Sequence, residues 1–237
     1  KIYFPHSLGI FYQALTQFLG FKNYGDEYKI MGLAPYGKPK YVEKLRDIIL
    51  IKKNGKFELN LDYFKFYKED FSYRWENGKV EIEDLYKNKI LDLLGPERKK
   101  DEALNDFHKD IAHSTQKIYE EVFLNILNNL YDKYQNNNLC IAGGCGMNSV
   151  ANGKIKNNTK FKNIYVQAAA GDAGGAIGAA FASHYQNKKE KRKFQMKHAY
   201  WGTSFNENEV LNCIKKNKEN IEKQKCSHQK ISNDNEL

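Results

Sequence analysis

Two glycine-rich turns hold the residues of this chain whose types and spacing suit phosphate chemistry. An apolar run at 139–142 ends in Gly143-Gly144, and a second at 164–166 leads into Gly171-Asp172-Ala173-Gly174-Gly175. Glycine has no Cβ, so a ligand can approach bare backbone there and φ is free to go positive. A helix-compatible segment follows each turn and aims unpaired N–H groups and a positive dipole end at the same spot, which favours phosphate. Asn148 offers both a donor and an acceptor to a ribose or base. Asp172 is the only charged residue between Lys162 and His184. A single carboxylate at an anion site implies a cation bridging to phosphate, or else a helix N-cap.

The elements that must position these turns follow from pattern. Residues 139–142 and 164–166 have the length of buried strands, and 146–158 the length of one crossover helix. That is a βαβ unit, so both turns lie at one sheet edge beyond the strands' carboxyl ends, where open α/β sheets bind ligands. Residues 8–21 carry apolar side chains at helical spacing, with Ser7 as cap and Gly20 at the end. Gly32, Pro35, Gly37 and Pro39 make MGLAPYGKP a loop, and 41–51 reads as helix. Residues 56–82 alternate apolar and polar, with a hairpin at Asn77-Gly78. Their aromatics (Tyr63, Phe64, Phe66, Tyr67, Tyr73, Trp75) are either core or a platform for a sugar ring. Arg98 and Lys99 are surface charges or phosphate contacts. A long helix from Asp106 to about Tyr134 bears the stripe Phe107, Ile111, Ile118, Val122, Ile126 and Leu130, with its histidines facing solvent. Residues 206–223 form a lysine-rich amphipathic helix, and 227–237 a disordered tail.

The motifs support a specific resemblance. IAGGCGMNSVANGKI followed by VQAAAGDAGGAIGAA closely resembles the nodulation-factor and antibiotic O-carbamoyltransferases. FPHSLGIFYQALTQFLGF, GDEYKIMGLAPYGKPKY, GPERKKDEAL and HAYWGTSFNENEV are similar to that family's further signatures. They occur in order from about residue 3 to about residue 210, around a divergent middle. The resemblance implies an α/β, actin-like ATPase domain of the sugar-kinase (ASKHA) type, partial here, with a β-rich insertion. Its parts would be 1–55 (helix, loop, helix), the insertion at 56–105, the nucleotide-binding core at 106–185 and a polar helix and tail at 186–237.

The same resemblance implies an activity and a site. A carbamoyl group would pass from carbamoyl-adenylate, made from carbamoyl phosphate and ATP, to a hydroxyl of a sugar-containing acceptor. Gly143, Gly144 and Asn148 would hold the nucleotide. Asp172 would bind a divalent metal of the Fe2+ type, with Gly171, Gly174 and Gly175 shaping its turn. Ser7 and Gly9 would open a helix bordering the nucleotide. Glu27 and Lys29 fall in a signature without assigned roles, and no residue declares itself the general base. The related enzymes hold their metal with an HxxxH pair that is absent here. His108 and His113 are five apart, about 140° around a helix. The chain therefore reads as a fragment, with its partners being a missing N-terminal half and an adenylate-forming domain.

Composition fits an enzyme domain. Hydrophobic residues make up 41% of the 237, enough for a sizeable core. The stretch 168–182 is too short and too rich in alanine and glycine to span a membrane. Cys140, Cys145, Cys213 and Cys226 form no CxxC pair. The first two read as small buried hydrophobes, and the whole set suits a reducing cytoplasm. The net charge of +9 comes from scattered lysines without interleaved aromatics, which argues against nucleic acid. Two alternatives to carbamoyl transfer remain, a sugar or acetate-type kinase of the same superfamily and a non-catalytic nucleotide-binding module.

Overall fold

In the computed structural model, which describes every residue except 69, 70, 77, 78, 189, 190, 197 and 232–237, the chain forms two units, Lys1–Lys191 and Arg192–Leu237. The first unit opens with α1 (Leu8–Phe18), α2 (Glu27–Leu33) and α3 (Val42–Leu45). The strands β1 (Ile49–Ile51), β2 (Phe57–Leu59), β3 (Tyr73–Glu76) and β4 (Lys79–Ile82) follow, then α4 (Lys89–Leu94) and the 29-residue α5 (Asp106–Tyr134). Next come β5 (Asn138–Ile141), α6 (Ser149–Asn158), β6 (Asn163–Val166) and α7 (Asp172–Lys188).

The long helix α5 is the axis of this unit. Asn105 and His108 start it with a reciprocal cap: the Asn105 side chain accepts from the His108 amide, and His108 Nδ1 accepts from the Asn105 amide, each at 3.2 Å. Burial holds His108 below its ordinary pKa, which keeps that nitrogen an acceptor. Ile111, Ala112, Ile118, Tyr119 and Val122 form the buried face, against which α1, α2, α3 and α6 pack. From α1 come Phe11, Leu15 and Phe18, all fully buried. Each such side chain contributes about 2 kcal/mol by leaving water. His108 is buried and His113 half-buried, so α5 does not turn its histidines to solvent as its pattern suggested. Both are instead taken up by local capping and by a neighbouring carbonyl.

Several expected elements shift. Met31, Gly32 and Leu33 of the expected loop close α2, and the chain leaves the helix through a tight 3-10 turn at Ala34–Tyr36, whose second residue is Pro35. The expected helix over 41–51 stops at Leu45. Ile48-Ile49-Leu50-Ile51 is β-branched enough to prefer a strand, and β1 pairs antiparallel with β2 in the register Ile49↔Leu59. Strands β3 and β4 pair antiparallel as the hairpin pattern predicts, with the turn at Asn77-Gly78 outside the described residues. Asp110, buried on α5, ties down the loop after α2. Its carboxylate accepts from the Lys38 amide at 2.7 Å and pairs with Lys40 at 2.8 Å.

Strands β5 and β6 are parallel, with Leu139 opposite Ile164 and Cys140 opposite Tyr165. They are not buried on both faces, as their apolar runs suggested. Leu139 is buried, whereas Cys140 is exposed and Tyr165 is 46% exposed. Among the described residues this ladder has two strands and cover on one face, so alternate side chains meet solvent. Cys140 is accordingly no core residue.

The second unit contains α8 (Glu207–Lys216) and α9 (Lys218–Lys223). Asn206 and Glu209 make a full capping box, and the single helix expected over 206–223 breaks at Asn217, whose amide bonds back to the Cys213 carbonyl. Of the expected disordered tail, 227–231 has no regular structure and the rest lies outside the described residues. No helix among the described residues is long and apolar enough to cross a membrane.

The Asp110 link has a pH signature. Burial alone would raise its pKa, but Lys40 and the Lys38 amide outweigh that and hold it below the ordinary carboxylate value. A depressed folded pKa adds stability that is complete above the unfolded pKa and lost as pH falls through the folded one. Asp110→Asn should therefore lower the urea midpoint at neutral pH. The gap from the unsubstituted protein should narrow in acid, below the ordinary carboxylate range.

Candidate active site

The first glycine turn is built by a reversal of the chain at the end of β5. Gly143 has φ +99, a conformation that L side chains rarely adopt, and it opens a 3-10 turn at Gly144–Met147. Its amide donates to the Ala170 carbonyl at 2.6 Å, which ties this turn to the one leaving β6. Gly146 packs beneath, where a Cβ would lie 2.8 Å from Ile141 Cγ2 and 3.7 Å from Ala170 Cβ. Above the turn the situation reverses. Among the described residues, a Cβ at Gly143 or Gly144 would meet nothing within 4 Å beyond its chain neighbours, and the same holds for Gly175 in the first turn of α7. The amides of Gly144 and Cys145 lie in the first turn of a helix and so lack intrahelical acceptors.

The two turns use their other glycines for packing. Gly174 sits against the Ala169 carbonyl with no room for a side chain, and a Cβ at Gly171 would be 3.2 Å from Met147 Sδ. Thus Gly143, Gly144, Gly171, Gly174 and Gly175 gather at one sheet edge, as the βαβ pattern requires.

Asn148 is held by the scaffold. It caps α6, its Oδ1 accepting from the Ala151 amide at 3.0 Å, and it exchanges two hydrogen bonds with Gln116 on α5, at 3.0 and 3.1 Å. Gln116 also accepts from the Tyr12 hydroxyl at 2.8 Å and donates to Glu120 at 2.9 Å. Glu120 in turn pairs with Lys154 of α6 at 2.6 Å. Beside this network, the Tyr119 hydroxyl donates to the Cys145 carbonyl at 2.6 Å and its ring meets Tyr12 edge-on at 5.2 Å. Burial pushes both phenols well above their ordinary pKa, so both act as neutral donors. The sequence pattern placed Tyr12 among apolar positions and passed over Gln116. A glutamine inside a helix's buried stripe was the available signal.

Gly9 borders the first turn, and Ser7 sits beside Gly9. Ser7 caps α1, accepting from the Ile10 amide at 3.3 Å, and a Cβ on Gly9 would lie 3.6 Å from Cys145 Sγ. Cys145 is half-buried, and burial raises its thiol pKa. A cleft of about 360 Å³ adjoins Ser7, lined by Phe4, Pro5, His6, Ile10 and Phe66. Of the described side chains in the expected aromatic platform, Phe66 lines it. Tyr63 and Phe64 are core, and Trp75 stands 75% exposed. Arg98 holds no phosphate: it is buried and donates to the carbonyls of Leu19, Lys100 and Glu102.

Asp172 is the first residue of α7, exposed, with no hydrogen-bond or ion-pair partner among the described residues. Nor do those residues bring three metal-ligating side chains together anywhere. The described residues therefore do not fit a metal centre, and Asp172 would be at most one of its ligands.

A pair of glycine-rich turns at the end of a βαβ unit, in this motif order, defines a class. Residues 1–181 match the family model described as carbamoyltransferase N-terminus, and the chain belongs to that family. It is 42% identical over 221 residues to the Synechocystis protein sll1178, covering 91% of this chain and 34% of that protein. It is 31% identical over 208 residues to the nodulation protein NolNO of Sinorhizobium fredii, covering 84% of this chain and 26% of the relative. To the nodulation protein NolO of Bradyrhizobium diazoefficiens it is 29% identical over 198 residues, covering 83% and 32%. The chain thus spans about a third or less of the length of these relatives, and its resemblance to the nodulation-type carbamoyltransferases holds.

Because Asn148 joins the cap of α6 to the α5 network, Asn148→Ala should cost about 2 kcal/mol through the lost cap and the unpaired Gln116. Equilibrium denaturation measures it. Asn148→Asp, which keeps the cap acceptor, should recover part of the loss.

Proposed function

We propose that this chain is the nucleotide-side part of an O-carbamoyltransferase with an actin-like ATPase fold, acting on carbamoyl-adenylate and a sugar-containing hydroxyl acceptor. The supporting observation is the pair of glycine turns. They are tied together by the Gly143–Ala170 hydrogen bond, and space is left open above Gly143, Gly144 and Gly175. Bare backbone with amides that lack intrahelical acceptors at a sheet edge suits the phosphate of an adenylate. Membership of the carbamoyltransferase family supports the group transferred.

In this reading Gly143 and Gly144 let the adenylate phosphate approach the first turn, and the Gly144 and Cys145 amides donate to it. Asn148, fixed by Gln116, keeps the turn in register with α6. Gly171, Gly174 and Gly175 shape the second turn, with Ser7 and Gly9 forming the wall next to Cys145. The acceptor oxygen bonds to the carbamoyl carbon, the bond from that carbon to the AMP phosphate oxygen breaks, and AMP leaves with the electron pair. Preorganised amides that favour the departing phosphate act on this step without reorganising. A divalent metal would draw Asp172 as one ligand and the others from beyond the described residues. The cleft beside Ser7, with Phe4 and Phe66 on its walls, offers aromatic faces to a sugar ring. Four free cysteines suit a cytoplasmic setting.

The test uses the full-length protein with ATP, carbamoyl phosphate and a panel of glycosides. Carbamoylated glycoside with one AMP per transfer is expected, whereas phosphorylated glycoside with ADP would overturn the reading in favour of a kinase. Gly144→Val should leave the melting temperature within a few degrees, because its side chain enters open space, yet reduce AMP affinity at least tenfold. Unchanged AMP affinity would remove the nucleotide from this turn.

A further inference from the structure

The cleft beside Ser7 holds a histidine whose hydrogen-bonding role is already half fixed. His6 lines that cleft together with Phe4, Pro5, Ser7, Ile10 and Phe66. Its Nδ1 accepts from the Leu59 amide of β2 at 3.1 Å, which ties the start of the chain to the β1–β2 ladder. A ring nitrogen that accepts carries no proton, so the proton of the neutral imidazole sits on Nε2. Among the described residues Nε2 has no hydrogen-bond partner, and it is not sealed from solvent. The Leu59 amide therefore presets His6 as an accessible donor.

The rest of the cleft narrows what that donor can meet. Ser7 Oγ accepts from the Ile10 amide at 3.3 Å, which leaves its hydroxyl proton as a second donor. Phe4 and Phe66 meet edge to face with centroids 6.2 Å apart, and Phe64 backs Phe66 at 5.9 Å. Among the described residues no carboxylate lines the cleft. Glu58, whose charge reaches His6, is paired with Lys52 at 2.5 Å. The volume of about 360 Å³ is at the small end for ligand pockets and suits one sugar ring. The cleft also adjoins the glycine turn, because a Cβ built on Gly9 would lie 3.6 Å from both Ser7 Oγ and Cys145 Sγ. Aromatic walls with two donors match a neutral sugar, whose oxygens accept and whose C–H faces lie on the rings. An ammonium-bearing sugar would find no counter-charge there.

We propose that this cleft is the acceptor subsite for a neutral pyranoside, and that His6 sets its specificity by donating from Nε2 to a sugar oxygen. The inference rests on the sugar-acceptor part of the reading above. The imidazole cannot turn its accepting nitrogen to the sugar without breaking the Leu59 bond. It therefore recognises an oxygen lone pair and orients the ring, while the neighbouring glycine turn holds the adenylate. His6 takes no proton in the reaction.

The test takes the best acceptor from a panel of neutral methyl glycosides and uses the full-length protein. Binding is followed by saturation-transfer NMR, and KM by carbamoylation with ATP and carbamoyl phosphate. His6→Asn places an amide oxygen near the position of Nδ1, which keeps an acceptor for Leu59 and removes the Nε2 donor. It should weaken glycoside binding and raise KM about 3–10-fold, with AMP affinity and melting temperature unchanged. Phe4→Ala removes a ring that is 77% exposed, so folding does not depend on it, and should weaken glycoside binding as well. The 2-amino-2-deoxy counterpart of the same glycoside should bind the unsubstituted protein more weakly. Unchanged glycoside affinity in either variant would overturn the inference, as would tighter binding of the amino sugar. A lowered melting temperature with equal loss of AMP and glycoside affinity in His6→Asn would make His6 structural and overturn it too. If the unsubstituted protein neither bound nor carbamoylated any glycoside of the panel, the sugar-acceptor reading itself would fall, which separates the two failures.

Discussion

The buried amide of Gln116 is the interaction on which the arrangement of this unit depends. One side chain on α5 receives the Tyr12 hydroxyl from α1, exchanges two hydrogen bonds with Asn148 at the head of α6, and donates to Glu120. Three helices are thereby held to one polar point inside an otherwise apolar interface. Polar groups in such a place are costly unless every partner is present, so the network selects one register of the three helices. It also reaches the site directly, because Asn148 closes the turn that Gly143 opens. A shift of α6 along α5 would break the cap and misplace the amides of Gly144 and Cys145 together.

The glycines of the two turns divide by what surrounds them. Gly146, Gly171 and Gly174 are small because protein atoms fill the space a side chain would need: Ile141 and Ala170, Met147, and the Ala169 carbonyl. Among the described residues, Gly143, Gly144 and Gly175 face nothing within 4 Å. At Gly143 the backbone still demands glycine through its positive φ. At Gly144 and Gly175 neither φ nor packing does, so their smallness has no explanation inside the chain. Gly32, Gly153 and Gly178 are equally open, so open space by itself does not mark a ligand position, while packing accounts for Gly146, Gly171 and Gly174.

How far the sequence could be read follows from which forces are local. The βαβ unit, the cap at Ser7, the long α5 and the β3–β4 hairpin were legible because periodicity and turn chemistry act within a few residues. The failures lie where tertiary pairing decides. Residues 49–51 look helical until Phe57–Leu59 offers a partner strand. Cys140 looks buried until the ladder proves to be covered on one face. The site was half legible: the glycines announced themselves, but Gln116 is 32 residues from Asn148 and nothing local joins them. Glu27 was visible within a signature, and among the described residues it is a half-buried acid with no ion pair. Arg98 shows the opposite error, a charge after Gly-Pro that resembles a phosphate contact and instead satisfies three backbone carbonyls.

The lack of an ion pair at Glu27 among the described residues stands out in a chain of this composition. With 38 Lys and Arg against 29 Asp and Glu, cations exceed anions, and most of the half-buried or buried acids near α5 have found one. Asp110 takes Lys40, Glu120 takes Lys154, Glu121 takes Arg46 and Asp26 takes Lys29. Glu27 lies one residue from Asp26 and among the described residues goes without. Pairing it would have been easy in sequence terms, since a lysine one turn along the helix would suffice, and position 31 carries methionine. A paired carboxylate has its pKa drawn down and its lone pairs occupied, which makes it a poor proton acceptor. Leaving Glu27 half-buried and without an ion pair among the described residues costs stability, and burial raises its pKa above the ordinary carboxylate value.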